Sequence, residues 1–163
     1  MPLWMWSAGT AQRCRHHNDP IVVSTDDPTI MTQARALGYD VRERPEALCQ
    51  DKTPTIDVVY DILELYETDL VCLLQPTSPD RRDRDVRRAI DLAITSKRSV
   101  VGVNESGDHS GAVYVYRRDA MPNADWAQAA TIRADAFDID TPEDWQAALE
   151  YQRLRGDLSC VIS

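Results

Sequence analysis

The sequence predicts an α/β fold: a three-layer domain with helices on both faces of a mostly parallel sheet. Two observations carry this expectation. Short apolar, β-branched runs alternate with segments of helical apolar spacing along the whole chain, with no linker or repeat between them. Two of those runs, Ile21-Val22-Val23 and Leu70-Val71-Cys72-Leu73-Leu74, also stop abruptly in polar residues. Ser24-Thr25-Asp26-Asp27 follows the first and Gln75-Pro76-Thr77-Ser78-Pro79 follows the second. Buried parallel strands break this way at their carboxyl ends, and ligands of open α/β sheets sit outside those ends. Taken singly, each reads first as an ordinary strand-to-helix turn with Ser, Thr and Asp caps; together the two polar strand ends suggest one ligand crevice.

The elements follow in order. Residues 3–14 carry helical apolar spacing, and residues 21–24 form a strand. Asp27-Pro28 reads as an N-cap with proline in the first turn, and the helix it opens runs to Gly38, a C-cap. A short strand follows at 40–42. Thr53-Pro54-Thr55-Ile56-Asp57 opens a helix with Ile56, Val59, Tyr60, Leu63 and Tyr66 on its apolar face. The strand at 70–75 precedes a polar loop and a helix over 83–96 carrying Val86, Ala89, Ile90 and Ala93. Residues 99–103 and 112–116 are strands, and 132–140 is mixed. Thr141-Pro142-Glu143-Asp144 opens the last helix in the manner of a capping box.

Composition sets outer limits. A chain of 163 residues is about one domain, and 43% hydrophobic with 28% charged residues is ordinary globular usage. A net charge of −9 argues against a nucleic acid polymer as partner, which would need a basic face. No apolar run approaches membrane-spanning length, and the first residues lack the pattern of a secretory signal. Cys14, Cys49, Cys72 and Cys160 are too widely spaced for a zinc or disulfide framework, and read as free thiols of a cytoplasmic protein.

The residues that could do chemistry fall into a few groups. In Asp138-Ile139-Asp140-Thr141, an extended 137–140 segment puts Asp138 and Asp140 on one side. Paired hard-oxygen ligands at a strand end suit Mg2+, which is commonly held by one or two carboxylates plus substrate phosphates. The alternative is that Asp140 caps the last helix while Asp138 is solvated. Arg44 and the cluster Arg81, Arg82 and Arg84 are anion contacts by chemistry. Arg84, Arg87 and Arg88 line a solvated helix face, whereas Arg81 lies just past the Pro-Thr-Ser-Pro turn and faces the crevice. Asp51, Lys52, Thr53 and Thr55 occupy a loop-to-helix transition that could hold a base or ribose, or simply cap. His16, His17 and His109 have no nucleophile partner at useful spacing.

Six segments in order resemble the acylneuraminate cytidylyltransferases, the CMP-sialic acid synthetases and their relatives. They are Val22-Val23-Ser24-Thr25-Asp26-Asp27; Arg44-Pro45-Glu46-Ala47-Leu48; Asp51-Lys52-Thr53-Pro54-Thr55 with Asp57-Val58-Val59; Leu73-Leu74-Gln75-Pro76-Thr77-Ser78-Pro79; Gly111-Ala112-Val113-Tyr114-Val115; and Asp138-Ile139-Asp140-Thr141-Pro142-Glu143-Asp144. The resemblance implies a Rossmann-like nucleotidyltransferase fold in one domain spanning residues 1–163. It further implies CTP and an acidic nine-carbon sugar as substrates, giving CMP-sugar and pyrophosphate with Mg2+. By position, Asp138 and Asp140 are implied to bind the metal, and Arg44 and Thr55 to contact cytidine. Gln75, Thr77, Ser78 and Arg81 are implied on the sugar side, with catalysis resting on Asp138, Asp140 and Arg81.

Three departures accompany the resemblance. The family's first strand and basic glycine-rich loop have no counterpart before Met1-Pro2-Leu3. The segment that builds the family's homo-oligomer contact is reduced to Asn104-Glu105-Ser106-Gly107-Asp108-His109-Ser110, and the family's Asn before Gly-Ala is Ser110. The missing strand belongs between those at 21–24 and 70–75, so unpaired sheet edges are expected there, closed by sliding or by the run Leu158-Ser159-Cys160-Val161-Ile162. If that strand is absent, Trp4 and Trp6 could form an exposed patch, with Trp126 and Trp145 packed in or beside the core. A non-catalytic binding module, or a sugar-phosphate nucleotidyltransferase using another base, are the competing functions.

Overall fold

The structure is a computed structural model describing residues 2–16, 18–123, 128–136 and 138–154. In chain order the elements are α1 (Leu3–Cys14), β1 (Val22–Thr25), α2 (Pro28–Ala36), β2 (Asp40–Glu43), α3 (Thr55–Leu65), β3 (Leu70–Leu73), α4 (Asp83–Ser96), β4 (Val100–Val103), β5 (His109–Arg117), β6 (Ala130–Arg133) and α5 (Pro142–Leu154). Local chemistry fixes several boundaries. The Asp27 carboxylate accepts from the N–H groups of Thr29 and Ile30 to start α2, with Pro28 in its first turn. The chain turns out of that helix through Gly38, whose φ of 77° is easy only for glycine. At α5, Asp144 accepts from Thr141 N–H while Thr141 Oγ1 accepts from Asp144 N–H, a reciprocal cap.

Alternation along β3 sorts the layers. Leu70 and Cys72 join a core with Val86, Ala89 and Ala93 of α4 and with Val100, Val113 and Val115. Val71 and Leu73 point the other way, toward Val59 and Leu63 of α3 and the ring of Tyr116. Helices therefore cover both faces, giving the expected three layers. Strands β3, β4 and β6 share one direction, and β5 is reversed between β3 and β4.

The sheet is split. β1 and β2 form one parallel pair and β3-β5-β4-β6 a second sheet, so among the described residues β1 and β3 each have one neighbour only. This matches the unpaired edges expected between them. Helices make the connection. From α1, Trp4 and Ala8 pack on Ala34, Val23 and Val41, while Cys14 enters the core of the larger sheet. Arg13 also grips Asp83 at the start of α4 with bonds of 2.7 and 3.0 Å. On the opposite face, Arg42 of β2 holds Asp61 of α3 bidentately at 2.8 and 2.6 Å.

Several expectations are corrected. Residues 138–140 form no strand; the strand of this region lies earlier, at Ala130–Arg133, paired parallel to β4. Tyr60 is 39% exposed, so the buried stripe of α3 is narrower than its apolar spacing implies. Trp4 is buried with its ring edge-on to Tyr39, and half-buried Trp6 sits edge-on to Trp145. The helix at 3–14 packs its Trp4 side on α2, β1 and β2, while Trp6 is met by Trp145 of α5. Met1, His17, Trp126, Phe137 and the run Leu158-Ser159-Cys160-Val161-Ile162 lie outside the described residues. Cys14, Cys49 and Cys72 are free thiols, and among the described residues no helix is long and apolar enough to cross a membrane.

Two expected outcomes follow from this packing. Leu63→Ala opens a cavity under Tyr116 and should lower the unfolding free energy by roughly 2–5 kcal/mol in urea titrations. The hydrogen bonds from Arg42 hold the Asp61 carboxyl below its usual range against a smaller burial effect. That contribution is present above the ordinary carboxylate pKa and is lost as pH falls through the depressed folded value. The urea midpoint of Asp61→Asn should therefore fall less than that of the native chain between about pH 6 and pH 3.

Candidate functional site

The polar residues singled out in the sequence gather at the carboxyl ends of β1, β2 and β3. Arg44 follows β2 directly, and its guanidinium donates to the Ser24 carbonyl at 2.8 Å and the Ser24 hydroxyl at 3.3 Å. Thr55 is the exposed first residue of α3. That helix has Pro54 as N-cap and no side-chain capping bond; the Pro54 carbonyl takes the Asp57 N–H at 3.0 Å.

The second group is tied together tightly. Beyond β3 the chain turns through Gln75, Thr77 and Ser78. The Thr77 carbonyl accepts from Ile139 N–H at 2.9 Å, which pins the segment between Asp138 and Asp140 onto that turn. Both carboxylates are exposed. Among the described residues neither takes part in an ion pair, although the charge of Asp138 reaches the Tyr114 phenol. Asp140 does not cap α5 through its carboxylate; its N–H instead donates to the Asp144 cap at 3.1 Å.

Two of the expected contacts are turned inward. Ser78 is fully buried, and its Oγ has no hydrogen-bond partner among the described residues. It lies against Gly111 of β5, where an added Cβ would come within 2.8 Å of Ser78 Oγ and 3.6 Å of Gln75 Oε1. Arg81 is 5% exposed; its guanidinium donates to Ala112 C=O at 2.7 Å, to Ser7 Oγ at 2.6 Å and to Gln75 C=O. Burial lowers its pKa to about 10, against the opposing influence of the Cys72 thiol and Asp80. The expectation that Arg81 faces the crevice is corrected: its position just after the turn carries it under the loop. Gln75 and Thr77 remain half-exposed at the crevice edge.

The structure adds aromatic neighbours that sequence reasoning missed. Tyr114 is stacked on Tyr116, centroids 6.4 Å apart, and meets the His109 ring edge-on at 6.2 Å. Burial, and then the charge of Asp138, raise the Tyr114 pKa, while a bond from the Gly111 backbone opposes them. The Tyr114-Val115-Tyr116 alternation is the signal that both rings share a face of β5.

Asp138 and Asp140 have the chemistry a divalent cation needs: exposed, hard oxygen donors free of basic partners among the described residues. No group of three or more His, Cys, Asp or Glu is assembled among those residues, so a cation here would complete its shell with water or ligand oxygens.

The α/β architecture is shared with solved structures of other proteins. A CMP:2-keto-3-deoxy-manno-octonic acid synthetase complexed with CTP superposes with a TM-score of 0.71, covering 93% of this chain and 88% of that one at 16% identity. The Mycobacterium tuberculosis protein Rv0371c, in complex with manganese, gives a TM-score of 0.66 over 91% and 85% at 14% identity. At such identities the likeness is one of fold. No family model matches the chain.

Sequence similarity runs to the acidic-sugar cytidylyltransferases, as the motifs imply. Over 92 residues the chain is 37% identical to a CMP-N,N'-diacetyllegionaminic acid synthase of Legionella pneumophila, covering 53% of this chain and 40% of that protein. Over 95 residues it is 32% identical to an N-acylneuraminate cytidylyltransferase of Escherichia coli, covering 56% and 23%. The chain spans less than half the length of these curated relatives.

The packing at Gly111 has a measurable consequence. Its φ of 71° and the contact with buried Ser78 both oppose a side chain. Gly111→Ala should cost roughly 2–4 kcal/mol in chemical denaturation, and a simultaneous Ser78→Gly should recover part of it.

Proposed function

We propose that this chain is a cytidylyltransferase domain that binds CTP and an acidic nine-carbon sugar with a divalent cation, and transfers CMP to the sugar. The observation that carries the reading is the 2.9 Å bond from Ile139 N–H to Thr77 C=O. It sets the two carboxylates beside the turn that ends β3, where α/β domains hold their ligands. The similarity to acidic-sugar cytidylyltransferases supplies the substrate class.

In this reading Arg44 and Thr55 contact the cytidine end, and Gln75 and Thr77 contact the sugar. Asp138 and Asp140 would hold Mg2+ or Mn2+, which supplies charge neutralisation at the triphosphate when bound. The anomeric oxygen of the sugar forms a bond to the α-phosphorus, the bond from that phosphorus to the bridging oxygen breaks, and pyrophosphate leaves. The anomeric proton passes to solvent. Ser78 and Arg81 shape the turn from beneath. With Arg81 turned inward, the sugar's carboxylate is left to amide, hydroxyl and metal-cation contacts. The thiols and the biosynthetic reaction fit a cytoplasmic setting, with a homo-oligomer as the form adopted by the whole protein.

The test is a thermal titration with CTP and Mg2+. A ligand at about 100 times its Kd stabilises the folded state by about 2.7 kcal/mol, or roughly 5–10 °C for a chain of this size. That shift should require the cation and disappear in Asp138→Asn/Asp140→Asn. A well-folded chain showing no shift at millimolar CTP would support the competing non-catalytic module.

A further inference from the structure

We infer that Arg81 is a positioning residue that takes the place of the next ladder pair between β3 and β5, and thereby sets the spacing of Asp138 and Asp140. The inference rests on the proposed function only for the role of those two carboxylates.

The antiparallel register pairs Leu70 with Arg117 and ends with Leu73 opposite Tyr114. Continued by two residues, it would set Gln75 opposite Ala112. The strands have parted there, because Gln75-Pro76 leaves the sheet and Pro76 has no N–H to donate. The carbonyls of those two would-be partners, Gln75 and Ala112, are the ones the Arg81 guanidinium bonds. A single planar fork thus spans the parted strand ends. Its third bond, to Ser7 Oγ, ties them to α1, and Ser7 Oγ itself donates to the Gln75 carbonyl at 3.1 Å.

Arginine suits this position because its N–H donors diverge in one plane. A buried cation is costly, so an apolar side chain would be preferred if the only requirement were filled volume. Such a replacement would leave the Ala112 carbonyl without its Arg81 donor in a buried setting. From Gln75 the hold passes through the turn to the Thr77 carbonyl, which takes the Ile139 N–H between the two carboxylates. Asp138 and Asp140 therefore hang from a turn whose other end is clamped by Arg81. Residues that orient metal ligands in this indirect way typically govern affinity by about 10–100-fold.

Amide hydrogen exchange by NMR tests the clamp without requiring activity. Ile139 N–H reports the bond to Thr77, and Val115, in the middle of the larger sheet, reports global stability. Arg81→Met removes the fork. Arg81→Lys keeps the charge but cannot span both carbonyls, and Ser7→Ala removes one partner should the Arg81 variants fold poorly. The expected result is a loss of Ile139 protection at least tenfold greater than the loss at Val115, graded Met over Lys over the Ser7 variant. Half-saturating Mn2+·CTP, from thermal titrations of the same folded variants, should rise about 10–100-fold in Arg81→Met. Equal losses at Ile139 and Val115, or unchanged Ile139 protection, would overturn the inference, since Arg81 would then be a structural residue only. If the native chain shows no response to Mn2+·CTP while Ile139 protection still depends on Arg81, the clamp stands and the cytidylyltransferase reading fails.

Discussion

The parting of β3 from β5 after Leu73 is the constraint on which the site depends. A ladder that continued would seal the carboxyl end of β3 with backbone bonds and leave no crevice. One that parted without support would bury unpaired carbonyls, which protein interiors rarely tolerate. Here the carbonyls are answered from below by Arg81, and the space above the fork is left to Gln75, Thr77, Tyr114 and the 138–140 segment. Gly111 is part of the same solution. The turn at 75–79 can close onto β5 only because that position lacks a side chain.

Electrostatics at the crevice are lopsided. Arg81 beside the turn is buried and spent on neutral oxygens, while Asp138 and Asp140, pinned to the same turn, are exposed carboxylates. In a chain with net charge −9 such a pair attracts cations before anions. A polyphosphate approaching this end of the sheet would be met by repulsion unless it arrived with its metal. Arg44, the positive group on the other side, is bonded to the end of β1 and so is held in place before any ligand arrives.

Much of the fold was legible because patterning and caps agree. The 83–96 helix was read to its final residue, and Asp27-Pro28 and Thr141-Asp144 announced their helices through chemistry that the capping bonds bear out. The strand at Ala130–Arg133 was harder to place. Its own alternation is weak, and it owes its position to pairing with β4, a contact distant in sequence. The inward turn of Arg81 and Ser78 was not legible either. A hydroxyl and a guanidinium in a proline-bounded loop read as surface groups, and only the register between β3 and β5 reveals that two carbonyls beneath the loop need a donor. Tyr60 misled for a simpler reason: apolar spacing marks a stripe, but the neighbouring element decides how wide a stripe is covered.

The split sheet has a thermodynamic meaning of its own. The β1–α2–β2 unit joins the rest of the described structure through side chains, chiefly Trp4 and Ala8 packing and the Arg42–Asp61 pair, with no interstrand ladder to β3. Among the described residues it could detach without breaking a sheet, the arrangement expected of a separate cooperative unfolding unit. Arg44 travels with this unit, whereas Gln75, Thr77 and the two aspartates belong to the other. A ligand that touched both would act as a cross-link, and its binding energy would be felt as cooperativity between two units that share no ladder.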